Sequence, residues 1–503
     1  TYNILELKGK VVIPGDLSAK EIKIETESLS IQGEIKSDSI EINTEKTIVL
    51  DADVTINSNV VELSQNATFV VAGKNLTFGS ENDGSSIISD DKKNLVILDS
   101  ASAGKTIFYS SLGTATSPLG EISSETETFF NADVFSDSIE AKNSAQISSA
   151  KITTSGGQIY DSALKITGTQ TKLISENDGI SFGGSVDISA QTLISALNGS
   201  AKFSAALKSS ENLSVSAKSV DFSSNITVTG SGSISLMADT IFSGDSTISL
   251  ENGSFSVGNE SNPNMVTVEN GAAVEFQKVA ESTFFGNFIN SGKVTINGSG
   301  TQTFSSFENK QNGVISVNDS SKIDFQADFD NRGKIYSTGL CSVNFASPVT
   351  DSGTWIYSGG KVKNDDITYN ILELKGKVVI PGDLSAKEIK IETESLNIQG
   401  EIKSDSIEIN TEKTVVLDEN ATINATSVSL LQNATFDVNG KNLVLGTNGM
   451  SYSVISSGKN LTFSDENSAG SVTLNCKIGS ATSPLGKISS APEISFKSDV
   501  YAD

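Results

Sequence analysis

A stretch of 47 residues, Thr1 to Thr47, returns between Thr368 and Thr414 with a single change, Ser30 to Asn397. Repetition this close, at an offset of 367 residues, restricts the chain to architectures in which one copy can be added to the last. Likeness continues through QNATF at 65–69 and 432–436. It returns at TSPLG in 116–120 and 482–486, where one net residue has been lost. The chain therefore divides into one long unit, 1–367, and the start of a second, 368–503. Within the long unit, 1–140 and 141–260 are a first and a middle section, and 261–367 is richer in Phe and Asn. The chain opens on Thr1-Tyr2-Asn3 and is expected to be a mature product or a piece of a longer chain with more copies.

Inside each unit runs a shorter period. Ile22 and Ile24, Leu29 and Ile31, Ile40 and Ile42, and Ile48 and Leu50 are apolar pairs with a polar residue between the members. Period two means strands with one face buried. The pairs recur every 18–21 residues: Leu29 to Ile48, Ile40 to Val61, Ile48 to Phe69, and Leu213/Val215 to Ile234/Leu236. GKNL at 440–443 and 458–461 adds a step of 18. Short strands with Gly, Asn, Ser and Asp between them at this spacing predict an all-β fold, a right-handed parallel β-helix with coils of about 18–21 residues. Stacking at roughly 4.8 Å per coil makes about 25 coils into a rod on the order of 120 Å long. A string of immunoglobulin-like sandwiches is disfavoured because Trp355 is solitary, the 7 prolines mark no regular linkers and no domain-sized period appears. Where Phe and Asn-Gly turns cluster, at 282–288, 307–313 and 330–334, either coils with longer loops or local β-hairpin or sandwich-like insertions are expected.

Composition removes much chemistry. There is no histidine, so no Ser-His-Asp or Cys-His relay and no imidazole metal site. The 36 basic and 61 acidic residues give a net charge of −25, which repels nucleic-acid phosphates and anionic membranes, so no nucleic-acid partner is expected. Cys341 and Cys476 lie in unlike contexts and read as small buried hydrophobes rather than a disulfide framework. No apolar run approaches the length of a membrane span, so no transmembrane segment is expected in this chain.

Between Gly113 and about Leu207 stand, in order, GTATSPLGEIS at 113–123, TTSGGQIYDSALKI at 153–166, TKLIS at 171–175, GISFGGSVD at 179–187 and AKFSAAL at 201–207. This order resembles the repeats of giant bacterial surface proteins of the filamentous-haemagglutinin and autotransporter-adhesin type. There a PLGSL-like turn, a TTGGQTY-like turn, a GNITF-like strand and a VTFSGAV-like strand follow one another down a β-helix. The resemblance implies a secreted or cell-surface protein that serves adhesion, biofilm or an envelope coat.

The candidate sites are few. Asp324, Asp328 and Asp330 beside Arg332, the only arginine, could bind Ca²⁺ or activate water in a lyase-like groove, but a solvated strand edge and turn in an acidic protein is the preferred reading. The β-roll and EF-hand calcium patterns are absent, leaving only chance sites such as Asp90-Asp91 and Glu81-Asn82-Asp83. Asn-x-Ser/Thr triplets are numerous, and those at Asn66, Asn75 and Asn433 begin strands, which favours stacked asparagines over glycan acceptors. Lys20-Glu21-Lys23-Glu25 reads as a solvated strand face. No catalytic residue, cofactor or metal ligand is assigned. The interaction patch singled out is Phe284, Phe285, Phe288, Asp328, Asp330 and Arg332.

Together these readings predict a noncatalytic extracellular structural or adhesive fibre, a β-helical rod on a bacterial cell surface. Its expected partner is itself, through end-to-end or lateral contacts that build a filament, sheath or surface layer, with surface glycans or proteins as further partners. The alternatives are a module that recognises host glycan or protein through 282–335 and, last, a β-helical polysaccharide-active enzyme.

Overall fold

The structure, a computed structural model, describes residues 2–81, 84–277, 281–318, 320–338, 340–447 and 451–503. The described residues contain no helix, 64% of them lie in strands, and the strands wind a parallel β-solenoid through about 23 turns. Alternation is the local cause. In Ile234–Phe242, ISLMADTIF, every second side chain is buried, so one face of the strand lines the core and the other meets solvent. The chain forms two compact units, Thr1–Val266 and Thr267–Asp503.

In the first unit the sequence pairs are cross-coil partners: Leu29 lies beside Ile48, Ile40 beside Val61, Ile48 beside Phe69, and Leu213 and Val215 beside Ile234 and Leu236. Coil length is less regular than expected. It runs from 17 residues between Thr128 and Ala145 to 30 between Leu76 and Thr106. The extra residues go into turns whose backbone is satisfied locally. Asp99, for example, accepts N–H bonds of 2.7 Å from Gly73 and Gly104 and one of 3.1 Å from Ala101. Burial acts to raise the Asp99 carboxyl, but these backbone donors outweigh it and hold it below the usual value.

The core of this unit is built in columns. Phe78, Phe108 and Phe130 stack at 5.4 and 5.7 Å between ring centres. Tyr160, Phe182, Phe203, Phe222 and Phe242 form a second stack at 5.7, 4.7, 5.0 and 5.8 Å. These are offset geometries that add to the burial of each ring. Inward hydroxyls are likewise paired between and within coils: Thr126 Oγ1 donates to Thr106 Oγ1 at 2.7 Å and Thr128 Oγ1 to Ser124 Oγ at 2.8 Å.

The second unit uses the same coils. Its described strand pairs are all parallel in the Phe/Asn-rich section too, where Glu281–Asn290 lies beside Thr301–Asn309, so the expected hairpin or sandwich-like insertions are replaced by ordinary coils. The only antiparallel contact described is a bridge between Ser480 and Ser483, inside the TSPLG turn. GKNL proves not to mark a coil step: Leu443 pairs with Val472 and Leu461 with Ala434, because coils here are 27 to 29 residues long. Asp465 repeats the role of Asp99, accepting from Gly440 and Gly470 at 2.7 Å. The boundary between the two sequence copies falls inside the strand Ile367–Ile380, with no linker.

Candidate functional site: a buried amide ladder at the joint between copies

Four strand ends in the second unit share one pattern: an apolar residue, an amide or acid two positions on, and then a glycine. They are Phe288–Asn290–Gly292, Phe307–Asn309–Gly313, Phe329–Asn331–Gly333 and Val349–Asp351–Gly353. Period two turns the apolar residue and the amide to the same side, and the amides are fully buried. Asn290 Nδ2 donates to Asn309 Oδ1 at 2.8 Å, Asn309 Nδ2 to Asn331 Oδ1 at 2.7 Å, and Asn331 Nδ2 to Asp351 Oδ1 at 2.8 Å. An amide suits such a column because it donates at one end and accepts at the other. The glycines leave it room. A Cβ on Gly333 would lie 2.2 Å from the Gly313 carbonyl, and one on Gly353 would lie 2.5 Å from Asn331 Nδ2.

The fourth rung differs in having a carboxyl. Asp351 Oδ2 and the Trp355 indole N–H are both buried without an aligned hydrogen bond. Burial pushes the Asp351 carboxyl up to about 6, against the opposing pull of the Asn331 amide, the Gly353 and Asn370 N–H groups and the Trp355 indole. This rung also sits where the copies meet. Asp351 N–H donates to the Thr368 carbonyl at 2.8 Å, Val349 and Thr350 lie beside Ile367 and Thr368, and Thr354–Tyr357 pairs with Ile371–Leu374. Trp355, Tyr357 and Tyr369 pack there edge to face or stacked, with ring centres 5.8 to 6.4 Å apart. Burial raises the Tyr357 phenol to about 12.

The expected interaction patch does not form as a surface. Phe284 and Phe288 point inward, and Phe288 stacks on Phe307 at 6.0 Å, so of the three phenylalanines only the half-buried Phe285 lies on the outward side. Asp328 is exposed and contributes its carbonyl to Phe307 N–H. Asp330 is held by Arg332 through Nη2 at 2.6 Å and Nε at 3.3 Å, while Asp324 accepts from Asn344 at 2.7 Å. The Asp324 and Asp330 carboxylates are thus each answered by a neighbour. Among the described residues no three Asp, Glu or Cys side chains gather as metal ligands. Asp91 sits near Lys93, and Asn82 and Asp83 lie outside the described residues.

The Asn-x-Ser/Thr asparagines work at the corners. Asn66 Oδ1 accepts from Asn94 N–H, Asn94 from Glu121, Asn433 from Asn460 and Asn460 from Lys487, all at 2.8 to 3.0 Å. Asn75 accepts from Lys105 at 3.2 Å. Cys476 is buried and its thiol is raised to about 11 by burial, whereas Cys341 is only half-buried, beside Ser337 at 3.1 Å. Lys23 bridges Glu21 and Glu41 across a coil. These are exposed pairs of small energetic weight.

Sequence reading missed the amide ladder, though its F-x-N…G signal is present at Phe288, Phe307 and Phe329. It also missed Asp99 and Asp465, which correspond at the offset of 366 seen in TSPLG. No protein family, characterised protein or solved structure matches the chain. No helix of the described residues is long and apolar enough to cross a membrane.

Proposed function

We propose that this chain is a noncatalytic structural repeat of a bacterial cell surface, an extracellular adhesive or coat-forming fibre in which successive copies stack coil on coil. The observation that supports this most is the joint. The last coil of one copy pairs in register with the first strand of the next, so a further copy adds length without adding a hinge. Pairing also changes the strand's surroundings: Tyr369 in the joint is 1% exposed, while Tyr2, its counterpart in the first copy, is 58% exposed. Polar side chains spent on ladders between coils, and the motif order from Gly113 to Leu207, favour the structural reading over an enzymatic one. Inward packing of Phe284 and Phe288 takes away the aromatic patch that a glycan-binding role for 282–335 needs.

Immunogold electron microscopy of the producing cells tests the proposal. Label on fibres or a coat outside the envelope is expected, and label confined to the cell interior would overturn it.

A further inference from the structure

Three rungs of the buried ladder are asparagine, and the fourth, at the joint, is Asp351. An asparagine there would cap the column as a neutral group. A carboxylate instead places an anion in the core with one oxygen lacking an aligned hydrogen bond. We propose that Asp351 makes the joint between successive copies proton-sensitive, the coils closing on each other when the carboxyl takes up a proton and loosening when it gives one up.

The surroundings of Asp351 contain nothing that would neutralise it as an anion. On the preceding coil Asn331 donates to Oδ1, while Arg332 is turned outward onto Asp330. On its own side stand Gly353 and the Trp355 indole. On the following strand are the Thr368 carbonyl, the Asn370 N–H and the phenol of Tyr369, which is itself neutral because burial and its neighbours raise it well above its ordinary value. Lys363, the nearest lysine in sequence before that strand, is paired with Asp366 on the exposed side. Among the described residues no cation acts on Asp351. Loss of a proton therefore leaves a buried charge whose least disruptive relief is local separation of 349–357 from 367–374, admitting water.

The direction follows from linkage. A carboxyl raised from 3.8 to about 6 in the fold favours the protonated form, so its contribution is complete below the unfolded value and is lost as pH rises through about 6. The joint is tighter at pH 5 than at pH 7.5, and tightest below about pH 4.

The inference rests on reading 345–380 as the joint between copies, but its test is separate from that of the fibre. Hydrogen exchange on the full chain, corrected for intrinsic rates, should show amides of 367–374 opening on the order of tens of times less at pH 4.5 than at pH 7.5. Amides of Leu213–Phe222, in the first unit, provide the reference. Asp351→Asn should abolish the difference by keeping the joint closed at both pH values. Equal protection of 367–374 at the two pH values in the unmodified chain would overturn the proposal, as would a pH dependence that survives in Asp351→Asn. The measurement on the unmodified chain stands even if the variant fails to fold.

Discussion

Gly15 and Gly33 show how much one carbon atom can matter at a corner of the first coils. Gly33 has φ of 93°, and a Cβ there would lie 2.6 Å from Asp16 Oδ1, the atom that caps Glu34 N–H at 2.8 Å. Gly15 has ordinary φ and open space around the same position. Gly33→Ala should therefore cost about 1–3 kcal/mol in a denaturant titration, and Gly15→Ala about 0.5 kcal/mol or less. Gly400 repeats the arrangement over Asp383 with φ of 116°, so its alanine variant should behave as Gly33→Ala does. The amide ladder makes a comparable prediction. Asn309→Ala leaves the Asn331 side-chain carbonyl without its partner and Asn290 Nδ2 with only the Val314 carbonyl, at a cost of roughly 1–3 kcal/mol. Asn297→Ala, on an exposed amide, should be nearly silent in the same titration. The amides were legible only in part. Phe284, Phe285 and Phe288 stand out in the sequence as a cluster that reads as an interaction patch. In a chain with so few aromatics, alternation sends such residues to the core, and the Phe284–Phe288 strand keeps that alternation.

At the scale of strands and coils, the register was legible where the pattern is strictly alternating, as at Leu29/Ile48 and Val215/Leu236. It was not legible where turns lengthen, because a loop such as the one around Asp99 adds residues without disturbing the strands on either side. A repeated tetrapeptide such as GKNL can then fall on different strands of successive coils. The aromatic columns are the element most open to test. Phe203 is held between Phe182 and Phe222 at 4.7 and 5.0 Å, and its neighbours are fixed by their own strands, so a cavity at this level cannot close easily. Phe203→Ala should lose about 3–5 kcal/mol and Phe203→Leu distinctly less, measured by thermal or chemical unfolding.

For the molecule as a whole, the sequence repeat and the strand pairing describe the same fact from two sides. A copy boundary lies inside a strand, so nothing in the backbone distinguishes joining two copies from continuing one. The proposed stacking role depends on the joint, which becomes visible only when 349–361 is seen beside 367–379. The most direct measurement is particle length, by electron microscopy, for chains carrying one, two and three complete copies. Joining by strand pairing predicts a constant increment on the order of 80 Å per copy in a stiff, unbroken particle. Particles that bend freely at each copy boundary, or that gain no fixed length per copy, would contradict it.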